Sequence, residues 1–294
     1  MPTKQRKIEV HRLTISGLPE GTAYGPFLSN LRQSRRPVAE MVMKAGEKWH
    51  ALNETTLRNH RLRLRFFSYT KGHRPDVLDT NQFALQPNPL APSQTSVEWT
   101  HALGALKNNR YMLLVEKNIG GIYPTTLGRY LQWAVDQFYE PPEEEEENGD
   151  REPVTINLEA EPGPEFLTRL ESLDRVTEAT VRVVRPNPGW RDLETELGHK
   201  AGESDASKVD LTMTARRRAS LKRQGGIIGW IYEALSKRSL DYAAIKGRRG
   251  SQVDTFNTKK LGKHAMLNIE IDERGQIVPA DAWAKLSAMM DDMD

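Results

Sequence analysis

Apolar and polar residues follow the periods of regular secondary structure in the first half of the chain. Apolar residues spaced along 8–15 and strict alternation over 62–66 predict strands, and the apolar run at 110–116 predicts a strand buried on both faces. Helical spacing over 127–138 predicts an amphipathic helix. We therefore expect residues 1–139 to form a mixed α+β domain.

The second half is a succession of short apolar segments separated by turn residues. Strands are predicted at 154–158, 181–184, 209–213 and 242–245, and helices at 164–173 and 219–235. If a short helix at 190–197 is left out, the order is β-α-β-β-α-β, the ferredoxin-like arrangement. An extra strand at 266–271 and a C-terminal helix at 282–289 complete this domain, residues 154–294, and are available to pack on a partner subunit. The predicted fold class is α+β with two domains.

A strongly acidic segment separates the two predicted domains. Residues 140–153 contain five consecutive glutamates, three prolines and an Asn-Gly pair. Like charges repel, proline interrupts regular structure and Asn-Gly favours a turn, so we expect a linker. A further hypothesis is that this linker occupies a cationic site in the free protein; deletion of residues 143–147 would then raise the affinity for a polyanion.

Charge is unevenly divided along the chain, although the total is only +2. Residues 1–74 hold 15 Lys and Arg against 5 Asp and Glu, and residues 216–264 hold 13 against 3. Residues 136–165 hold 12 acids and one base. Such asymmetry favours a polyanion partner, above all nucleic acid. The alternative is that the basic blocks are ordinary solvated faces, neutralised by the acidic segment.

The basic residues form clusters that could bind phosphates. A triple arginine lies at the start of the helix predicted at 219–235, where positive charge opposes the helix dipole unless an anion binds, and a glycine-flanked basic loop follows it. The candidate DNA-binding residues here are Arg216, Arg217, Arg218, Lys222, Arg223, Lys246, Arg248 and Arg249. On a strand, Arg61, Arg63 and Arg65 would share one face at intervals of about 7 Å, near the phosphate spacing of DNA, or would simply face solvent.

The sequence contains no recognisable catalytic motif. It has no cysteine, its seven histidines lack metal-binding spacing, and it has no P-loop, nucleophile elbow or dinucleotide-binding motif. Glu116 precedes Lys117 with the wrong parity for a metal-dependent nuclease strand, and Asp272 lacks an accompanying lysine. Six tryptophans are scattered, which favours core packing over a stacking platform. We expect no catalytic residue, no metal and no cofactor.

The expected location is the cytoplasm. No apolar run approaches the roughly 20 residues that cross a bilayer, and the first ten residues lack the apolar region of a secretory signal. The absence of cysteine fits a reducing compartment. We therefore expect no direct insertion into a membrane.

Several segments resemble the RexA-type phage-exclusion proteins of temperate phages. They are Leu114-Val115-Glu116 with Ile119, Pro124-Thr125-Thr126 and Leu131, the N-terminal Phe27-Leu28-x-x-Leu31, and the strand-helix-strand layout over 154–193. The proline-rich stretch 67–95 and the five-glutamate segment depart from the family pattern. The resemblance implies a two-domain homodimer, related in fold to the recombination-associated RdgC proteins, that binds DNA with little sequence preference and works with a membrane-protein partner.

Charge and resemblance together predict a non-sequence-specific double-stranded DNA-binding protein, the sensor or DNA-binding component of a phage-exclusion system. One alternative is a metal-dependent nuclease effector of a phage-defence system, with Glu116 or Asp272 in its site. Another is a protein-interaction module whose basic faces meet an acidic partner. Charge alone does not separate DNA from RNA.

Overall fold

The chain folds as a mixed α+β protein with mostly antiparallel strands. A computed structural model describes residues 1–19, 21–32, 37–72, 76–79, 83–91, 93–140, 153–184, 208–236 and 240–293. The strands are β1 (Thr3–Ser16), β2 (Val42–Ala45), β3 (Lys48–Arg58), β4 (Arg61–Tyr69), β5 (Val77–Asp79), β6 (Ala84–Gln86), β7 (Glu98–Lys107), β8 (Arg110–Lys117), β9 (Thr155–Ala160), β10 (Arg175–Val184), β11 (Lys208–Thr214), β12 (Tyr242–Arg249), β13 (Gln252–Asn257) and β14 (His264–Glu270). The helices are α1 (Tyr24–Asn30), α2 (Pro124–Phe138), α3 (Pro164–Glu171), α4 (Gly226–Ser236) and α5 (Pro279–Asp291), with a 3-10 turn at Val38–Met41. Among these described helices, none has the length and apolar character that a membrane crossing requires.

The chain divides into two compact units whose membership differs from the predicted domains. Unit 1 comprises Met1–Ile8, Gly17–Ile156 and Met266–Asp294, and unit 2 comprises Glu9–Ser16 and Asn157–Ala265. The last helix, predicted as part of the second domain, thus belongs to unit 1. Its apolar residues pack on β7, which is far away in sequence, and local patterns do not reveal such long-range contacts. Residues 141–152 of the predicted linker lie outside the described residues.

The larger sheet has the order β14-β1-β8-β7-β4-β3-β2, and β9 also pairs with β1. In unit 1, β4 alternates buried and half-buried residues along its whole length. Leu62, Leu64 and Phe66 therefore lie on one face, and the arginines between them lie on the other. Residues 111–116 of β8 are all buried, as the unbroken apolar run predicts.

Helix α2 covers the face of the unit 1 sheet to which Phe66 belongs. The ring of Tyr130 packs edge-on against Phe66, with 5.1 Å between the ring centroids. The Tyr130 hydroxyl donates to Met41 O and accepts a hydrogen bond from Leu52 N at 3.0 Å. Burial raises the pKa of Tyr130, so the hydroxyl keeps its proton and remains a donor.

Helix α5 packs on the opposite face of the same sheet. Trp283 lies edge-on to His101, with 5.0 Å between the ring centroids. Beside this pair, the fully buried Glu116 carboxylate lies 2.8 Å from His101 Nδ1 and 3.0 Å from Arg6 Nε. A carboxylate removed from water requires such partners, and the group ties β1, β7 and β8 together.

Unit 2 contains a four-stranded antiparallel sheet with the order β11-β10-β12-β13. Helices α3 and α4 pack on one face of this sheet. The core they form includes Phe166, Leu170, Val181, Ile228, Ile231, Ile245 and Phe256. The residues on the other face are predominantly polar, so this sheet follows the half-buried pattern that is common in antiparallel sheets.

The predicted ferredoxin-like order does not describe the unit 2 sheet. Its predicted first strand, β9, pairs with β1 instead. An unpredicted strand, β13, forms a hairpin with β12. The turn between them contains Gly250 at a φ of 59°, a conformation that glycine adopts readily. The predicted basic loop at this position is therefore wrong: Lys246, Arg248 and Arg249 belong to β12.

The helix predicted at 219–235 begins only at Gly226. Gly225 and Gly226 have φ values of 79° and 57°. These positive values are incompatible with a right-handed helix, so the residues before them are not part of it. The triple arginine therefore lies in a loop, and the predicted opposition to a helix dipole is wrong. The short helix predicted at 190–197 lies outside the described residues.

His50 makes the stability of unit 1 depend on pH. Its buried imidazole has Nδ1 2.7 Å from Ser68 Oγ. Burial, assisted by the charge of Lys48, lowers the pKa of His50 from 6.5 to about 4. Between these two values the unfolded chain binds a proton that the folded chain does not. The stabilising contribution is therefore complete above about pH 6.5 and is lost as the pH falls towards about 4.

The His50→Gln variant should lack this contribution, because glutamine can still bond to Ser68 but does not titrate. From pH 7 to pH 5, the free energy of unfolding of the native protein should fall by about 1–2 kcal/mol more than that of the variant, as measured by urea titration. His264 is exposed, so His264→Gln is the matched control and should follow the native protein. The same pH dependence in all three proteins would contradict the lowered pKa.

Candidate nucleic-acid interface

The eight candidate cations of the second basic block gather at one end of the unit 2 sheet. At this end β10 begins and β12 finishes, with Arg175 opposite Arg248 in the antiparallel register. The loop 215–225 runs along the other edge of β10 at the same end. Two segments that are distant in sequence therefore lie at the same end of the sheet, which we call the basic end.

Hydrogen bonds fasten the loop 215–225 to the start of β10. Ala215 N donates to Thr177 O at 2.8 Å, and Leu221 N donates to Val176 O at 2.9 Å. Ser220 Oγ accepts a hydrogen bond from Val176 N at 3.0 Å. The loop thus follows a defined path without being a helix or a strand, and it carries its arginines to the basic end.

Two of the eight cations are anchored to the end of α3. Arg223 Nη1 donates to Glu171 O at 2.9 Å, and Arg249 bonds to Ser172 Oγ. Arg249 also lies 3.9 Å from Asp254, but the closer partner of that carboxylate is Arg169, which donates to it twice, at 2.9 and 2.7 Å. The hydrogen bond from Arg169 lowers the pKa of Asp254, so the acid stays ionised. Asp254 is therefore already engaged.

The other six cations are exposed and concentrate positive charge. They are Arg216, Arg217, Arg218, Lys222, Lys246 and Arg248. Within the described ranges, their side chains make no ion pair and no hydrogen bond. A cluster of like charges raises the free energy of the folded state until an anion compensates it. The basic end is therefore suited to bind a polyanion.

The positions of Lys246 and Arg248 suit a repeating anion. They are two residues apart on β12, so both side chains lie on the same face at intervals of about 7 Å. Threonines 180 and 212 lie on this face as well, and their hydroxyls bond to each other at 2.9 Å. Glu178 stands directly opposite Lys246 and contributes negative charge to this face.

A glycine sets the distance between β12 and its neighbours at the basic end. A Cβ on Gly247 would lie 2.5 Å from Leu173 Cδ1 and 2.6 Å from Arg175 O, which is shorter than real contacts allow. Gly247 stands opposite Val176, the residue that holds the loop 215–225. The close approach at this glycine therefore helps to bring the two cationic segments together.

The arginine ladder of β4 is arranged as predicted on one face, but each guanidinium has a partner within unit 1. Arg61 pairs with an acid, and Arg63 and Arg65 lie over aromatic rings at 5.6 and 4.0 Å from their centroids. The partners are Asp291, Trp283 and Trp99, respectively. Burial lowers the pKa of Arg65. A phosphate would have to compete with these contacts, and the role of the ladder in DNA binding stays a prediction.

The two acids named for a nuclease site have structural partners. Glu116 is buried with His101 and Arg6. The Asp272 carboxylate accepts hydrogen bonds from Arg274 N and Gln276 N, both at 2.9 Å, and so shapes a turn. In the part of the chain that the structure describes, no group of three or more His, Asp or Glu residues could hold a metal ion.

Unit 1 has a group of aromatic residues that the sequence pattern does not predict. Trp49, Phe67, Tyr69 and Trp99 are half-buried and lie together on one sheet face. The local signal for it is that the strand face with the arginines of β4 continues with Phe67 and Tyr69. The tryptophans come from two other strands, so only the sheet register reveals the group.

Comparison with known proteins leaves the family open. No protein-family model matches this sequence, and no curated protein matches it. The similarity to RexA-type proteins therefore stays a prediction, and the chemistry of the basic end is the main guide to function.

Gly247→Ala should destabilise unit 2 by about 1–3 kcal/mol, because the added methyl group meets both a side chain and a backbone carbonyl. Gly229 is the matched control: a Cβ there meets only Gln224 C, at an ordinary 3.7 Å. Since Gly229 lies within α4, Gly229→Ala should stabilise the protein by up to about 1 kcal/mol. Urea unfolding of both variants measures the difference. Equal effects of the two substitutions would contradict the close approach at Gly247.

Proposed function

We propose that this protein binds double-stranded DNA without sequence specificity, through phosphate contacts made by the basic end of unit 2. The observation that carries the proposal is the set of six exposed cations, brought together from two chain segments, which have no intramolecular partner among the described residues. The two anchored arginines, Arg223 and Arg249, complete the surface. Arg61, Arg63 and Arg65 form a second group of candidate contacts.

The arrangement supports phosphate binding rather than base reading. Arginine and lysine contacts to phosphates fix a protein on nucleic acid but carry no sequence information. The eight cations include no interleaved aromatic side chain that would stack on bases. Threonine hydroxyls on the same face as Lys246 can add hydrogen bonds to phosphate oxygens. We therefore expect affinity to depend strongly on salt and weakly on sequence.

The biological role that we propose is that of the DNA-binding or sensor component of a phage-exclusion system. This part of the proposal is supported by the segments that resemble RexA-type proteins. The same resemblance supports a homodimer with a membrane-protein partner. The lack of cysteine fits the cytoplasm, which is the proposed location. We propose a non-catalytic function, with DNA left intact.

Replacing Arg216, Arg217 and Arg218 by glutamate should abolish binding to a random-sequence DNA duplex, because attraction to phosphates becomes repulsion. The native protein, if it neutralises six or more phosphates, should lose about a thousandfold or more in affinity between 50 and 200 mM salt. Fluorescence anisotropy with a labelled duplex measures both effects. A gel of the same DNA, incubated with magnesium, shows whether it stays intact.

Two control variants make this experiment specific. The triple variant Lys4→Glu, Arg129→Glu, Arg274→Glu makes the same change of charge at exposed positions of unit 1 and should largely retain binding. Glu178→Gln removes the acid opposite Lys246 and should tighten binding a few-fold. Equal losses of DNA affinity in the two triple variants would show that the net charge of the protein determines binding. That result would contradict the basic end as the binding site. Cleaved DNA would favour the nuclease alternative.

A further inference from the structure

Four aromatic side chains form one group on the unit 1 sheet. Trp49 on β3 pairs with Tyr69 on β4, and Phe67 on β4 pairs with Trp99 on β7. Directly opposite residues of antiparallel strands point to the same face, so all four rings share a face. We call this group the aromatic platform.

The rings of the platform are in contact with one another. The rings of Trp49 and Tyr69 are inclined by only 14°, with 6.4 Å between their centroids. Phe67 links the two pairs, at 6.0 Å from Tyr69 and 5.7 Å from Trp99. All four side chains are half-buried, whereas Phe66 on the other face of β4 is fully buried. The platform therefore offers aromatic surface that the core of unit 1 does not use.

A cavity of about 690 Å³ lies over part of this platform. The residues that line it include Val42, Trp49, Phe67, Tyr69, Lys71 and Thr95. A volume of this size is within the range of sites that take small molecules or single groups of a larger ligand. Its lining joins aromatic rings to a few polar groups, which can orient a flat ligand.

Two lysines lie beside the platform. Lys44 Nζ lies 5.6 Å from the centroid of the Trp49 ring. Lys71 lines the cavity itself. Aromatic rings flanked by cations are the combination that single-stranded nucleic acid requires, since bases stack on the rings while the cations meet the phosphates. An apolar ligand would gain nothing from these charges.

We propose that this cavity binds an unstacked nucleobase, with Tyr69 and Trp49 as stacking surfaces and Lys71 and Lys44 near the adjoining phosphates. This site is distinct from the basic end and does not depend on duplex binding there. The chemistry it recognises is a planar base with phosphate attached, supplied by a single strand or by a free nucleotide.

The test compares two labelled 12-mers of equal charge, one of deoxyadenosine and one wholly abasic, by fluorescence anisotropy. The protein carries glutamate at Arg216, Arg217 and Arg218, so that phosphate binding at the basic end does not dominate. We expect the deoxyadenosine 12-mer to bind about tenfold or more tightly than the abasic one. Should the basic end have no role in DNA binding, this comparison still reports on the cavity alone.

Tyr69→Leu and Trp49→Leu should each remove most of the preference for bases. Phe83 is an exposed aromatic residue outside the platform, so Phe83→Leu should retain the preference. Circular dichroism of each variant verifies the fold, and the two platform variants provide independent readings if one of them unfolds. Displacement of the 12-mer by adenosine monophosphate assigns the site to free nucleotides, and no displacement assigns it to a strand.

Equal affinity for the two 12-mers would overturn the proposal. So would a preference that survives in both platform variants. Binding of 1-anilinonaphthalene-8-sulfonate without binding of either 12-mer would show an apolar site and would likewise overturn it.

Discussion

The basic end depends on the backbone pairing of the first residues of β10. Val176 is bonded to the loop 215–225 through Leu221 and Ser220, and it stands opposite Gly247 of β12 on its other side. One strand therefore fixes the positions of two cationic segments that are far apart in sequence. Gly247 permits the close approach, because any side chain there would meet Leu173 and Arg175. Without this pairing, the arginines would be a charged loop and not a surface.

The absence of internal partners in the described part of the chain makes the exposed cations of the basic end available to an anionic ligand. Arg169 already holds Asp254, and Arg12 is paired with the buried Asp241 elsewhere in unit 2. These internal pairs stabilise the fold, whereas the exposed cations of the basic end have no such partner among the described residues. The arginines of β4 do have partners: one pairs with Asp291, and the other two lie over aromatic rings. Both the ladder of β4 and the basic end are clusters of basic residues in the sequence. Only the contacts in the folded protein show that the basic end is the one available to a ligand.

The sequence predicts local elements better than it predicts their assembly. The alternation of β4, the buried run of β8 and the apolar stripe of α2 depend on neighbouring residues, and all three are confirmed. The predicted start of α4 is wrong because Gly225 and Gly226 adopt positive φ values, which the spacing of apolar residues does not reveal. The ferredoxin-like order is not observed because β9 pairs with β1. This pairing joins segments that are distant in sequence, so no local pattern indicates it. The cationic residues could be named from the sequence, but their convergence could not.

The most direct test of the central claim is hydrogen exchange of the full chain, measured by mass spectrometry with and without a random-sequence 20-bp duplex. Bound DNA should slow amide exchange in residues 215–223 and 246–250, the two segments that form the basic end, because phosphate contacts restrain them. Exchange in α2 should remain unchanged. Slowed exchange confined to unit 1, or none in either cationic segment, would contradict the claim that these segments form the DNA-binding surface.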